Sequence, residues 1–432
     1  MNHTSGQESK RAQPLLLRLL RRLGPGFITG TSDDDPSAIG TYTQAGAQFG
    51  LSQLWTALFT FPFMAVIQEM CGRIGWVTGQ GLATVIRHHY ARPILFFIVF
   101  IQVVTNTINI GADLSAMAAS AQLVWHISYY FWLFIVVVGT VLLIVLLPYR
   151  IYAAYLKFLG LALLTYVVTA FTITVNWREV LSATLNPKIR FDKDYLLNLI
   201  AVFGTTISPY EFFWQASEEV EELIAEHKIT KDDKQPSATT LQEILFVRWD
   251  TTFGMFFSNL IMYFIILVAA MTLGRHGINN IDTAADAANA LRPLAGPLTF
   301  LLFTLGIVSA GLLSIPVMAA SSAYAVAGAF NWPASLAKTF RQEPAFYGVI
   351  VGSALVGLLV NLLPIPPFKL LYYTAILNGL ISPPLLFMVV HISSNRSIMG
   401  PYTNPPLIQL AGWVLFAFMA VALIALLVFP GP

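Results

Sequence analysis

Charge is what this sequence has least of. Of its 432 residues 11% are Asp, Glu, Lys or Arg, and 56% are apolar, where a soluble domain carries about 25% charged residues. A surface so poor in charge excludes water as its main solvent. Cysteine is almost missing too. The single Cys71 excludes a disulfide framework and a cysteine-based metal cluster, and it reads as a small apolar packing residue. A net charge of +2 gives no ground for a nucleic-acid partner. No G-x-S-x-G, H-E-x-x-H or phosphate-loop pattern is found, so no enzyme and no cofactor are expected. The histidines, His3, His88, His89, His126, His227, His276 and His391, all fall in predicted loops or span ends. No signal peptide is evident, and Arg18, Arg21 and Arg22 lead straight into the first apolar run, so the N-terminus is expected in the cytosol.

Long apolar runs are what the chain has instead. A spanning helix needs about 20 apolar residues. Such runs lie near 22–50, 52–72, 93–123, 129–148, 152–176, 195–226, 244–273, 293–328, 343–363, 368–392 and 407–429. Most are apolar on all faces and so cross a bilayer rather than lie along it. The expectation is an all-α polytopic membrane protein with about eleven transmembrane helices. Arg73, Arg87, Arg92, Arg150, Lys157, Lys338, Arg341 and Arg396 fall on one side of that arrangement, which marks it as cytosolic. Arg178, Lys188, Arg190 and Lys193 fall on the other side, against the rule. The odd number of spans puts the C-terminus outside a plasma or inner membrane. Between Glu218 and Glu243 runs the longest cytosolic connection, expected as a solvated extension of the sixth span followed by a flexible D-D-K-Q-P-S turn.

Two spans are interrupted alike, by T-S-D-D-D-P-S-A at 31–38 and T-T-I-S-P-Y-E at 205–211. Proline lacks a backbone donor and suits the first position of a helix. Asp35 before Pro36 and Ser208 before Pro209 are good N-caps, and Ser208 to Glu211 also fits an S-x-x-E capping box. Each span therefore reads as a half-helix, an unwound stretch and a second half-helix. Non-helical backbone at bilayer depth lines a cavity or is buried in protein, and charge there points to function. Two broken spans, five apart, indicate a transporter of two inverted repeats. The organisation expected is a tail at 1–20, a five-helix repeat at 21–177, its inverted partner at 194–393 and an added helix at 406–430. Three adjacent aspartates beside freed carbonyls favour a cation as cargo.

At these residues the sequence resembles the Nramp family of divalent-metal transporters. L-G-P-G-F-I at 23–28, D-P at 35–36, T-Q-A-G-A-Q-F-G at 43–50 and Q-E-M-C-G-R-I-G-W-V-T-G-Q-G-L at 68–82 carry the likeness, with D-L-S at 113–115. The resemblance implies a LeuT-type five-plus-five fold with helices 1 and 6 broken. The departures are informative. The family's Asp-Pro-Gly-Asn is Asp35-Pro36-Ser37-Ala38 here, so the ligand aspartate is kept and the asparagine lost. Its Met-Pro-His is Ser208-Pro209-Tyr210, which removes a thioether and a histidine. A second histidine is Gln215, and an acidic residue of the third helix is Ala116. This pattern resembles the divergent Nramp-related magnesium transporters.

What remains is an oxygen site, which suits Mg²⁺ and, second, Mn²⁺; a thioether would favour softer metals. The expected metal-site residues are Asp35, Asp34, Ser208, Tyr210, Glu211 and the widened position of Ala38. By the resemblance, the carbonyls of Ser32 and Thr205 join them. Gln215 is a candidate for holding coordinated water, and one of Asp33 and Asp34 is expected to face an aqueous vestibule. Without buried histidine, Asp113 is the remaining candidate for proton movement, so uncoupled alternating-access transport is favoured. The alternatives are a proton-coupled Mn²⁺/Fe²⁺ transporter and a channel-like cation uniporter. The other partner is the lipid bilayer; oligomeric state is not legible.

Overall fold

The computed structural model describes residues 24–146, 160–229 and 240–428. Apart from one-turn pieces, the chain runs through α1 (Pro25–Ser32), α2 (Pro36–Phe49), α3 (Trp55–Thr78), α4 (Leu82–His89), α5 (Arg92–Trp125) and α6 (Tyr129–Leu146). It continues through α7 (Leu164–Thr172), α8 (Trp177–Leu185), α9 (Lys193–Thr206), α10 (Pro209–Ala225) and α11 (Leu241–Thr272). The last four are α12 (Thr299–Phe330), α13 (Pro344–Gly357), α14 (Pro367–Ser394) and α15 (Pro406–Val428). All regular structure among the described residues is helical.

Among the described residues, 8 helical stretches are long and apolar enough to cross a membrane, or 9 if the α2–α3 pair, bent by 107°, counts as one. This is a multi-pass membrane protein. The count falls below the eleven expected for local reasons. The break leaves α1 with 8 residues and α2 with 14. Of the fifth expected span, 152–159 lies outside the described residues, as do the tail at 1–20 and the D-D-K-Q-P-S turn.

Burial separates the inner helices from the outer ones. The sixth span, Lys193–Ala225, has 94% of its apolar window buried, against 22% for Tyr129–Leu146 and 22% for Pro406–Leu426. Phe100, Phe134 and Leu410 are exposed apolar side chains on α5, α6 and α15, the surface a lipid solvent accepts.

Polar contacts join loops at two poles. At one, Arg73 donates to the carbonyls of Tyr402 and Thr403, Arg87 to Asn331 at 2.6 Å, and Ser335 to Glu221 at 2.9 Å. Loops assigned to one side from their basic residues therefore meet in space. At the other pole Gln44 donates to Asn279, and Tyr129 to Asn361 at 2.8 Å. One expectation is corrected here. Glu218, Glu219 and Glu221 on α10 are buried rather than solvated, because α10 packs against α3 and α12 and supplies carboxyls to Tyr324 and Ser335.

Each broken span docks through glycine. A Cβ at Gly30 of α1 would stand 2.2 Å from the Gly254 carbonyl carbon of α11, and one at Gly204 of α9 would stand 2.2 Å from the Gly379 nitrogen of α14. Small residues let helices approach this closely where apolar lipid offers no hydrophobic drive. Asp250 of α11 also accepts from the amides of Gly24 at 2.9 Å and Phe27 at 3.2 Å, capping the start of α1 from another helix. Gly30→Val is expected to force α1 and α11 apart, at a cost of about 1–3 kcal/mol; a lower melting temperature of the purified protein in detergent would register it.

Candidate cation site

The first break covers Asp33 to Asp35. Helix α1 ends with Asp33 as its C-cap, and Asp35 in extended conformation starts α2, its carboxylate accepting from the Ala38 amide at 2.6 Å. The expected N-cap is therefore present, an interaction worth about 1 kcal/mol. At the second break α9 ends at Thr206 and α10 starts at Pro209. Here the capping box is corrected. Ser208 makes no side-chain cap; its hydroxyl turns back to the Thr205 carbonyl at 2.7 Å. Glu211 accepts instead from Gln68 of α3 at 2.7 Å, so the residue that would close the box is held by another helix.

The three aspartates diverge. Asp33 accepts from Ser258 of α11 at 2.7 Å and from Ser208 at 3.2 Å. Asp34 lies 3.3 Å from the same Ser258 hydroxyl. Asp35 alone turns to α5, where Asn109 donates to its second oxygen at 3.1 Å. None of the three faces an open vestibule, since Asp33, Asp34 and Asp35 are 0%, 3% and 1% exposed. Burial in a crowded helix junction makes each carboxyl take its hydrogen bonds from protein.

The breaks touch each other directly. Tyr210 donates its hydroxyl to the Ser32 carbonyl at 3.1 Å, crossing from the second break to the first. The two carbonyls implied as ligands, Ser32 and Thr205, thus each accept from a hydroxyl of the 208–210 segment. The Thr205 hydroxyl and one Glu211 oxygen are buried without a hydrogen-bond partner. Ala38 is fully buried and contributes only its backbone amide. Gln215 is engaged elsewhere, between Thr29 and Glu219. Among the described residues no three His, Cys, Asp or Glu side chains form a ready-made metal cage. A cation here would be held by one carboxylate with amide, hydroxyl and carbonyl oxygens. The described histidines all stay outside: five are exposed, and His391 pairs with Tyr90 near the end of α14.

Asn109, Ser258 and Gln68 surround the breaks without having been singled out from the sequence. For Asn109 a signal existed. Gln102, Asn106, Asn109 and Asp113 recur at helical spacing and are all buried, forming a polar stripe in an otherwise apolar span. Ser258 and Gln68 carry no such pattern. Ser258→Ala removes the donor beside Asp33 and Asp34, and a loss of about 1–3 kcal/mol is expected as a lower detergent melting temperature.

Comparison with known proteins places the chain in a family. The family model described as "Natural resistance-associated macrophage protein-like", Nramp, matches residues 26–429. The chain is 24% identical over 427 residues to the divalent metal cation transporter MntH of Klebsiella pneumoniae (strain 342), covering 97% of this chain and 95% of that one. A crystal structure of the Eremococcus coleocola manganese transporter superposes with a TM-score of 0.72 at 16% identity, over 96% of this chain and 87% of that one. Mhp1, a nucleobase-cation-symport-1 family transporter in a closed conformation, gives 0.59 at 14% identity, over 94% and 89%. These structural likenesses establish the all-helical transporter fold with its broken first helix. The chain belongs to the Nramp family, whose members carry divalent metal cations across membranes and are not enzymes.

Proposed function

We propose that Asp35 binds a divalent cation between the two broken spans, and that the chain carries Mn²⁺ and Mg²⁺ across the membrane by alternating access. The observation that carries this reading is the position of Asp35. It is a buried carboxylate at an unwound stretch, held by the Ala38 amide and Asn109 and, among the described residues, by no basic side chain. The cytosol-facing or outward swing of a half-helix would free the Ser32 and Thr205 carbonyls from Tyr210 and Ser208, adding oxygen ligands to the carboxylate. The likeness to a manganese transporter of known structure supports Mn²⁺, and the divalent metal cation transporter among the relatives supports a divalent cargo. The losses at Ala38, Ser208 and Tyr210 support Mg²⁺ beside it, as in the divergent Nramp-related magnesium transporters, because Mg²⁺ keeps part of its water shell and gains nothing from a thioether.

The architecture proposed is an inverted pair of five-helix repeats, 21–177 and 194–393, with 406–430 added. Crosswise packing supports it: α1 of the first repeat docks on α11 of the second, and α10 of the second on α3 of the first. The pole that gathers Arg73 and Arg87 is proposed as cytosolic, in a plasma or inner membrane, with the N-terminus inside and the C-terminus outside.

Transport is proposed to run without a coupled proton. An inside-negative potential favours entry of a divalent cation by about 4.6 kcal/mol per 100 mV, twice the single-charge value. One observation favours the proton-coupled reading. Asp113 is buried with neither oxygen in a hydrogen bond of normal geometry, within electrostatic reach of Asp35, as a proton acceptor would be.

Reconstituted protein with luminal metal and pH dyes separates these readings. Saturable Mn²⁺ and Mg²⁺ entry without luminal acidification is expected. Asp35→Ala is expected to lower both by more than the ~10–100-fold typical of outer-shell partners. Acidification in step with Mn²⁺ entry, abolished by Asp113→Asn, would establish the coupled mechanism instead.

A further inference from the structure

Beside Asp35 lies a sulfur atom. Met318 of α12 has its Sδ 3.0 Å from Asn109 Nδ2, the same amide nitrogen that donates to Asp35 Oδ2 at 3.1 Å. Met318 and Asn109 are 0% and 1% exposed. The other end of the amide, Asn109 Oδ1, is buried without a hydrogen-bond partner. A thioether is a weak acceptor, so pointing the Asn109 nitrogen at it while orphaning the oxygen is a poor use of a buried amide.

The two ends of an asparagine amide exchange places by a half turn about its last side-chain bond, and their assignment is set by surroundings. Turned, Asn109 presents Oδ1 to Asp35 Oδ2 and to Met318 Sδ. Three electron-rich atoms then face one another, an arrangement that a bound cation stabilises. The spacing also fits. In an octahedral oxygen shell with bonds of about 2.0–2.1 Å, adjacent oxygen ligands are about 3 Å apart, close to the 3.1 Å between the Asn109 amide and Asp35 Oδ2.

Met318 is held in place for this. Asn106 of α5 donates to its carbonyl at 3.1 Å, and Ser322 reaches the same oxygen at 3.2 Å. Pro316, inside α12, withholds a donor from the helix ladder two residues before it.

We propose that Asn109 Oδ1 and Met318 Sδ are cargo ligands beside Asp35, so that α12 supplies the thioether that the break before α10 lacks. This deepens the reading of Asp35 as the cargo ligand and rests on it. One sulfur among oxygens shifts preference toward Mn²⁺ and softer divalent ions such as Cd²⁺, and leaves Mg²⁺ largely indifferent. The site then admits both classes, with the sulfur setting the ratio.

The test compares wild type, Met318→Leu and Met117→Leu in proteoliposomes for Mn²⁺, Cd²⁺ and Mg²⁺ uptake, with X-ray absorption at the cadmium edge on each Cd²⁺-loaded protein. Met117 packs its sulfur on Gly311 across the same α5–α12 pair and controls for packing. Met318→Leu conserves volume. It is expected to weaken Cd²⁺ and Mn²⁺ uptake affinity about 10-fold, to change Mg²⁺ uptake less than about twofold, and to remove a cadmium–sulfur signal that wild type and Met117→Leu retain. Equal effects on all three ions, or a cadmium spectrum that is the same in wild type and Met318→Leu, would overturn the assignment of Met318 while leaving Asp35 as cargo ligand. Failure of wild type to move any of the three ions would overturn the transport reading, and this inference with it.

Discussion

Three carboxyl groups in succession, at the depth where two helices break, constrain everything around them. Removing an ionised carboxylate from water costs several kcal/mol even after relaxation, and hydrogen bonds to charged groups return about 1.5–3 kcal/mol each. No single neighbour can offset all three, so the partners come from several helices. Ser258 on α11 serves Asp33 and Asp34, Ser208 at the second break serves Asp33, and Asn109 on α5 serves Asp35. These bonds tie the first break to both halves of the chain. They also give the aspartates different roles: two are tied to α11, and the third is directed to where a cation is proposed to bind.

The glycine contacts follow from the same constraint. For Ser258 and Asp250 to reach the first break and the start of α1, α11 must run against α1 at backbone distance, and Gly26, Gly30 and Gly254 make that approach possible. The half-helices gain what a continuous span would have had from its own ladder. Asp250 satisfies amides at the start of α1, and Tyr210 satisfies a carbonyl at its end. A half-helix whose ends are satisfied by side chains of other helices moves by exchanging those partners, with no internal helix bonds broken. That is a suitable arrangement for the carrier proposed above, in which the same carbonyls would serve hydroxyls in one state and cargo in another.

The polar content of the bundle is concentrated on few helices. Gln102, Asn106 and Asn109 of the α5 stripe face α12, and the buried glutamates of α10 face α3 and α12. Glu69 of α3 is shared by Arg73 and Arg248, a pairing that ties α3 to α11 near the pole where Arg73 also holds the 402–403 loop. The outer helices α6 and α15 carry almost none of this polarity, consistent with their exposure to lipid.

How far the sequence alone reaches is clear from particular residues. Composition and run length determined a helical membrane protein. The D-D-D-P and S-P-Y patterns determined where two helices break and that Asp35 caps one of them, because proline and N-cap chemistry act within four residues. Neighbouring chemistry could not determine where side chains separated by a hundred residues or more would meet. The S-x-x-E pattern at Ser208 is locally sound, yet Glu211 accepts from Gln68 of α3, a partner that only the packing of α10 on α3 supplies. The E-E-V-E-E run looks solvated, yet packing of α10 on α12 buried it. The loss of methionine at position 208 reads as loss of sulfur, and only the crossing of α5 with α12 brings Met318 to the Asn109 amide. Local rules decide where a helix starts and stops. Which polar atoms share a site in low dielectric is decided by which helices cross there, and that is set by the packing of the whole bundle.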